Sequence, residues 1–123
     1  GSQAAAAGPF AVVPKQDCPH IDGFSMRPLP PGGIPIAGAC THCGDRTENW
    51  CCLHCYSLHC GRAINGCGVG HGTSLQHPLA LSVSDLSVWC YACDEYVAHD
   101  NLFPAKLDAY RRKFGEEPPH GII

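Results

Sequence analysis

Three Cys-x2-Cys pairs, Cys40–Cys43, Cys52–Cys55 and Cys90–Cys93, constrain this chain more than any other feature in it. At that spacing a tight turn aims two thiolates at one zinc ion, and disulfide scaffolds rarely repeat it. With 123 residues and 8% aromatic content, the sequence predicts a single domain with a thin apolar core that needs metal to hold it. Three pairs supply half of three tetrahedral sites. Six more ligands must come from Cys18, His20, Cys51, Cys60, Cys67 and the other histidines. Cys18-Pro19-His20 is an isolated pair in need of a distant partner, His71 and His77 have the spacing of paired zinc histidines, and Cys60 with Cys67 is a looser pair. Cys51 competes with its neighbour Cys52. Its alternative is a free thiol on the opposite strand face, serving as a small apolar residue. Spacing alone does not say which half-site joins which.

The segment Ala4–Pro9 has neither a basic stretch nor a long apolar run, so no secretory signal or membrane span is expected. Reduced thiols and a cytoplasmic location, with the nucleus as a second compartment, follow as expectations. The formal charge of −3 counts cysteine as neutral. Nine zinc-bound thiolates with three Zn²⁺ would bring it to about −6. Such a domain has no basic footprint for nucleic acid, and Arg111-Arg112-Lys113 reads as one face of a helix. No membrane partner is expected either, and the domain is read as a monomer.

Along the chain, Gly1-Ser2 looks like a vector remnant and residues 1–16 read as a disordered leader, 17–120 as the domain and 121–123 as a tail. The Pro- and Gly-rich Phe24–Gly38 excludes a helix. A short strand is expected over Glu48–Cys52, then a loop with a short helix within Gly61–His77. His77–Val83 and Leu86–Cys90 form a hairpin around Ser84-Asp85. A further strand is expected over Tyr91–Val97, with Tyr91, Cys93 and Glu95 on one face and Tyr96 on the other. Pro104–Phe114 reads as a helix with Leu107, Tyr110 and Phe114 on its inner face and Gly115 as its stop. The expected fold class is α+β: a small zinc-stapled domain with a short antiparallel sheet, about two helices and three structural zinc sites.

From Cys18 to His120 the order of cysteines and histidines resembles the zinc-finger ubiquitin-binding family (ZnF-UBP, or BUZ), which occurs in ubiquitin-specific proteases and in a cytoplasmic histone deacetylase. The likeness to the deacetylase version is carried by Glu48-Asn49-Trp50, Cys60-Gly61-Arg62, Ile64-Asn65-Gly66, His77-Pro78-Leu79, Asp85 to Tyr91, Lys113 to Glu116 and Pro119-His120. The resemblance implies three zinc sites: Cys18, His20, Cys90 and Cys93; Cys40, Cys43, Cys60 and Cys67; Cys52, Cys55, His71 and His77. Cys67 stands where histidine is usual, and Ala63 where the deacetylase version has tyrosine. His42, His54, His59, His99 and His120 match no ligand position and are read as surface residues or neighbours of ligands.

Filled sites of four ligands leave no open coordination position, so structural zinc and no catalysis are expected of this domain. The resemblance further implies a receptor for the free C-terminal Gly-Gly carboxylate of unanchored ubiquitin. Arg62, following Gly61, would meet the carboxylate. Trp50, Trp89, Tyr91 and Tyr96 would line or support a narrow slot, and Asp85 would accept a hydrogen bond from the tail. The alternative reading is a cross-braced zinc module of ubiquitin-ligase type that does not bind the ubiquitin C-terminus. The host protein is expected to be a lysine deacetylase or a ubiquitin protease.

Overall fold

The computed structural model describes residues 14–22 and 28–117. The elements run α1 (Pro19–Asp22), β1 (Asn49–Cys52), β2 (Leu58–Cys60), α2 (Cys67–Ser74), β3 (Leu79–Ser82), β4 (Val88–Cys90), β5 (Glu95–Val97), a 3-10 turn (Asp100–Leu102) and α3 (Phe103–Phe114). All five strands join one antiparallel sheet in the order β2-β1-β3-β4-β5. Most of the leader lies outside the described residues, as do Phe24–Arg27 and His120. Lys15, within the stretch read as leader, bridges Val97 of β5 and donates its backbone N–H to Tyr96 O at 2.8 Å.

Strand alternation gives the sheet two different faces. Cys51, Leu79, Leu81, Val88, Cys90 and Val97 point into the core, where Ile21, Ile34, Leu53, Leu102, Ala105 and Ala109 meet them. Trp50, Ala80 and Trp89 occupy the other face, and Tyr91 and Tyr96 pack on them. The expected face assignment of Tyr91 against Tyr96 therefore fails. The last strand begins only at Glu95, because Tyr91–Asp94 is spent on the turn between Cys90 and Cys93, and that turn resets the alternation. On α3 the deeply buried positions are Ala105 and Ala109, while Phe114 is 52% exposed. Of the bulky residues expected inside, Tyr110 packs against the core and Leu107 is half-buried, while Phe114 lies outside it. Pro104 stands in the first turn and Gly115 ends the helix in the left-handed region (φ 72°), as expected.

Four turns share one backbone design. The N–H of the fifth residue donates to the carbonyl of the first at Cys40/Gly44, Cys52/Tyr56, Ser82/Leu86 and Cys90/Asp94, at 2.9, 2.7, 2.9 and 2.8 Å. The fifth residue is left-handed each time (φ 81°, 63°, 65° and 58°). In three of them the first residue is a cysteine whose Sγ accepts a backbone N–H from Cys43, His54 or Cys93 at 3.4 Å. In the fourth, the Ser82 hydroxyl accepts from Ser84 and Asp85 at 3.2 and 3.4 Å. Ser82 thus plays the cysteine's part in a turn without metal ligands.

Candidate functional site

The turns deliver the ligands. Four side chains converge in each of three clusters, with one ligand atom apiece and all atoms of a cluster within 4.8 Å of one another: Cys18, His20, Cys90, Cys93; Cys40, Cys43, Cys60, Cys67; and Cys52, Cys55, His71, His77. Zn–S bonds of about 2.3 Å and Zn–N bonds of about 2.0–2.1 Å in a tetrahedron demand edges of about 3.8 Å for S–S, 3.6 Å for S–N and 3.3–3.4 Å for N–N. The S–S edges Cys18–Cys93 and Cys43–Cys60 are both 3.7 Å. Cys18, Cys90 and Cys93 lie 3.6, 3.4 and 3.4 Å from His20 Nδ1. Cys52–His77 is 3.6 Å, Cys55–His71 is 3.3 Å and His71–His77 is 3.3 Å. The donor sets fit zinc in chemistry and in size. Cys52, not Cys51, joins the third cluster; Cys51 is fully buried in the core, where burial pushes its thiol up to about 12.

The clusters also make α2. Cys-Gly-Val-Gly-His-Gly-Thr-Ser is a poor helix former, each glycine costing about 1 kcal/mol against alanine. Cys67 at its start belongs to the second cluster and His71, one turn on, to the third. Two metals therefore clamp the helix.

Two more histidines sit beside the third cluster. His59 stacks on His71 (ring centroids 4.1 Å apart) and lies 2.8 Å from Ser57 Oγ, which is 3.0 Å from Cys55 Sγ. His54 stacks on His77 at 5.1 Å and accepts the Leu79 N–H at 3.2 Å. Burial first, and neighbouring histidines second, push both imidazoles down to about 4, so both are neutral at pH 7. Asn65 Nδ2 donates to Cys43 Sγ at 3.2 Å in the second cluster. These contacts orient ligands. His99 instead caps the 3-10 turn by accepting from the Asn101 N–H.

On the aromatic face, Trp50 and Trp89 are 1% and 3% exposed, so they support the surface from beneath. Their indole N–H groups have no hydrogen-bond partner among the described residues. Tyr96 meets Trp89 edge-on, at 4.9 Å and 89°. Tyr91 is wedged against α2. A Cβ at Gly68 would lie 2.7 Å from its hydroxyl, and one at Gly72 would overlap its ring. The pocket it lines with Trp50, His59 and Ala80 holds about 10 Å³. A Cβ at Gly61 would strike the Glu48 carboxylate and come within 3.1 Å of Trp50 Nε1, so a larger residue where β2 leaves the sheet would have to displace the Glu48 side chain. Arg62 follows, 46% exposed on its side chain, with Nη2 3.5 Å from Asp94 Oδ1. Asp85, in the β3–β4 turn, accepts from the Ser87 hydroxyl and amide at 2.6 and 3.0 Å. Burial pushes its carboxyl up, yet the Ser87 bonds contribute to a net lowering. Burial and the Asp85 charge raise Tyr96.

The aromatics expected from the sequence thus share one face, with Arg62 at its β2 end and Asp85 at a neighbouring turn. Glu48, Asp94, Gly68 and Gly72 were not singled out. Asp94 carried one signal, its place directly after the last ligand, Cys93.

Residues 40–102 match the family described as Zn-finger in ubiquitin-hydrolases and other protein. Histone deacetylase 6 of Caenorhabditis elegans is 47% identical over 114 residues, covering 92% of this chain and 12% of that protein. Ubiquitin carboxyl-terminal hydrolase 44 of Xenopus tropicalis is 44% identical over 62 residues, covering 50% of this chain and 10% of that protein. Among solved structures, a chain of the Ubp8-Sgf11-Sgf73-Sus1 SAGA DUB module is similar over 71% of this chain and 20% of its own, at 18% identity and a TM-score of 0.46.

Proposed function

On the premise that this chain belongs to the family of zinc fingers found in ubiquitin hydrolases and other proteins, we propose that it is a receptor for the free C-terminal Gly-Gly carboxylate of ubiquitin. The observation that carries this reading is the setting of Arg62. A half-exposed guanidinium stands at the edge of a built aromatic face and, among the described residues, is engaged by a single 3.5 Å contact through Nη2. That leaves most of its donors for a bidentate carboxylate. A Gly-Gly tail has no side chains, so it is selected by narrowness and by groups that meet its main chain. Tyr91 and Tyr96 supply walls, and Asp85 supplies an acceptor at the turn.

A ubiquitin joined through its terminus to a lysine presents a bulkier neutral amide instead, so unanchored ubiquitin is the ligand. The domain performs no chemistry of its own, because four protein ligands at each zinc leave no position for water or substrate. The chain spans about an eighth or less of the length of the deacetylase and the hydrolase 44 it is similar to. The host is proposed to be a cytoplasmic lysine deacetylase or a ubiquitin protease.

The test is calorimetric titration of the zinc-loaded domain with ubiquitin and with ubiquitin lacking its last two glycines. Only the intact protein should bind. Arg62→Ala leaves the carboxylate desolvated without a partner, at about 2–4 kcal/mol, which is tens to hundreds of fold in affinity. Undiminished binding by a folded Arg62→Ala domain would refute the assignment. Failure of both titrations would favour the cross-braced interaction module.

A further inference from the structure

Asp94 is the one described residue that engages the Arg62 guanidinium, and it has the chemistry of the ligand itself. Its backbone is fixed. It sits left-handed at φ 58°, its N–H donates to Cys90 O at 2.8 Å, and it directly follows the ligand Cys93. Arg62 leaves the sheet two residues after Cys60, a ligand of a different cluster. The pair therefore spans two metal-braced turns, and neither backbone needs to move for the contact to form or break.

From this juxtaposition we infer that Asp94 is an affinity-setting residue: it occupies Arg62 in the free domain as a tethered competitor of the incoming carboxylate. This rests on the reading of Arg62 given above. The contact is long, involves one nitrogen, and joins side chains that are 46% and 68% exposed, so it is weak by nature. A terminal carboxylate offers two oxygens to the fork and displaces it. Asp94 opposes the ligand twice. It must give up Arg62, and its charge then stands beside the newly bound anion on a face that already carries Glu48 and Asp85.

The experiment titrates ubiquitin into the wild-type domain and into Asp94→Asn, Glu95→Gln and Arg62→Ala. Asparagine keeps the shape and tolerates the left-handed backbone, so the turn survives. Glu95→Gln is the control for net charge, since Glu95 is exposed and, among the described residues, pairs with Lys15 at 4.0 Å. Asp94→Asn should tighten ubiquitin binding by about 2–5-fold, with Glu95→Gln near the wild type. Unchanged or weaker binding by Asp94→Asn would mean that Asp94 orients Arg62 or does nothing. An equal gain in Glu95→Gln would assign the effect to bulk charge. Either result overturns the inference while wild-type binding and its loss in Arg62→Ala keep the receptor reading intact. If the wild-type domain does not bind, both fall together.

Discussion

Replacing Gly72 of α2 by alanine should destabilise the domain, and replacing Gly70 two residues earlier should stabilise it. Both changes offer the helix the same intrinsic gain of about 1 kcal/mol. At Gly70 a Cβ meets nothing within 4 Å, so the gain is kept. At Gly72 the added carbon overlaps the Tyr91 ring and comes within 3.0 Å of His77 O, a backbone atom of a zinc ligand. The pocket that Tyr91 lines with Trp50, His59 and Ala80 holds about 10 Å³, and His77 belongs to the third metal cluster. Overpacking of this kind costs about 1–3 kcal/mol, so the two variants should differ by about that amount, with opposite signs relative to the parent wherever the clash exceeds the shared gain of about 1 kcal/mol. Urea unfolding at one fixed, saturating zinc concentration reads the difference as a shift in midpoint at constant slope, since metal binding is linked to folding. A Gly72→Ala domain as stable as Gly70→Ala would refute the claim that α2 is glycine-rich to seat Tyr91.

Three further outcomes are expected. Cys51→Ser buries a hydroxyl in the apolar core, costing about 1–3 kcal/mol in thermal or urea unfolding; metal analysis should still find all three zinc ions, and loss of one would make Cys51 a ligand. Cys67→His should retain zinc, because either donor set is tetrahedral zinc chemistry, and should release it more slowly under hydrogen peroxide as followed with a chromogenic chelator, since one oxidisable thiolate is gone. Asp108→Ala should cost about 1–3 kcal/mol in denaturant unfolding, because Asp108 Oδ2 accepts the Ile34 N–H at 2.8 Å and Arg112 Nε at 3.0 Å, and Ile34 is 1% exposed.

What was legible in the sequence was whatever short range dictates. The Cys-x2-Cys turns fixed half of each cluster, period-two alternation located β3 and β4, and Pro104 with Gly115 bracketed α3. The joining of half-sites came from resemblance, since metal reaches across up to 75 positions, as between Cys18 and Cys93. Where local rules misled, a tertiary constraint had overridden them. The short helix expected within Gly61–His77 forms at Cys67–Ser74 although its glycines argue against it, because ligands at Cys67 and His71 impose it. Bulk suggested Leu107 and Phe114 for the inner face of α3, but the positions it buries most deeply in the core are Ala105 and Ala109. The cluster Arg111-Arg112-Lys113 is divided among separate partners, Glu117, Asp108 and the Val83 carbonyl. The Arg62–Asp94 contact joins residues 32 positions apart and was invisible to any window along the chain.

The serine-headed turn at Ser82–Leu86 bears on what sets the register of the sheet. Of the three tight strand connections, those at Cys52 and Cys90 hold ligands, whereas β3–β4 is closed by hydroxyl and amide bonds alone. Its four and three residues pair at Leu79–Cys90, Ala80–Trp89 and Leu81–Val88, which places both a core stripe and half of the aromatic face on one ribbon whose turn holds no ligand. That ribbon lies at positions three and four of the five-stranded sheet, with a zinc-bearing turn beyond it on each side. The register between β3 and β4 is therefore set by hydroxyl and amide bonds, whereas the connections on either side of it are set by turns that carry zinc ligands.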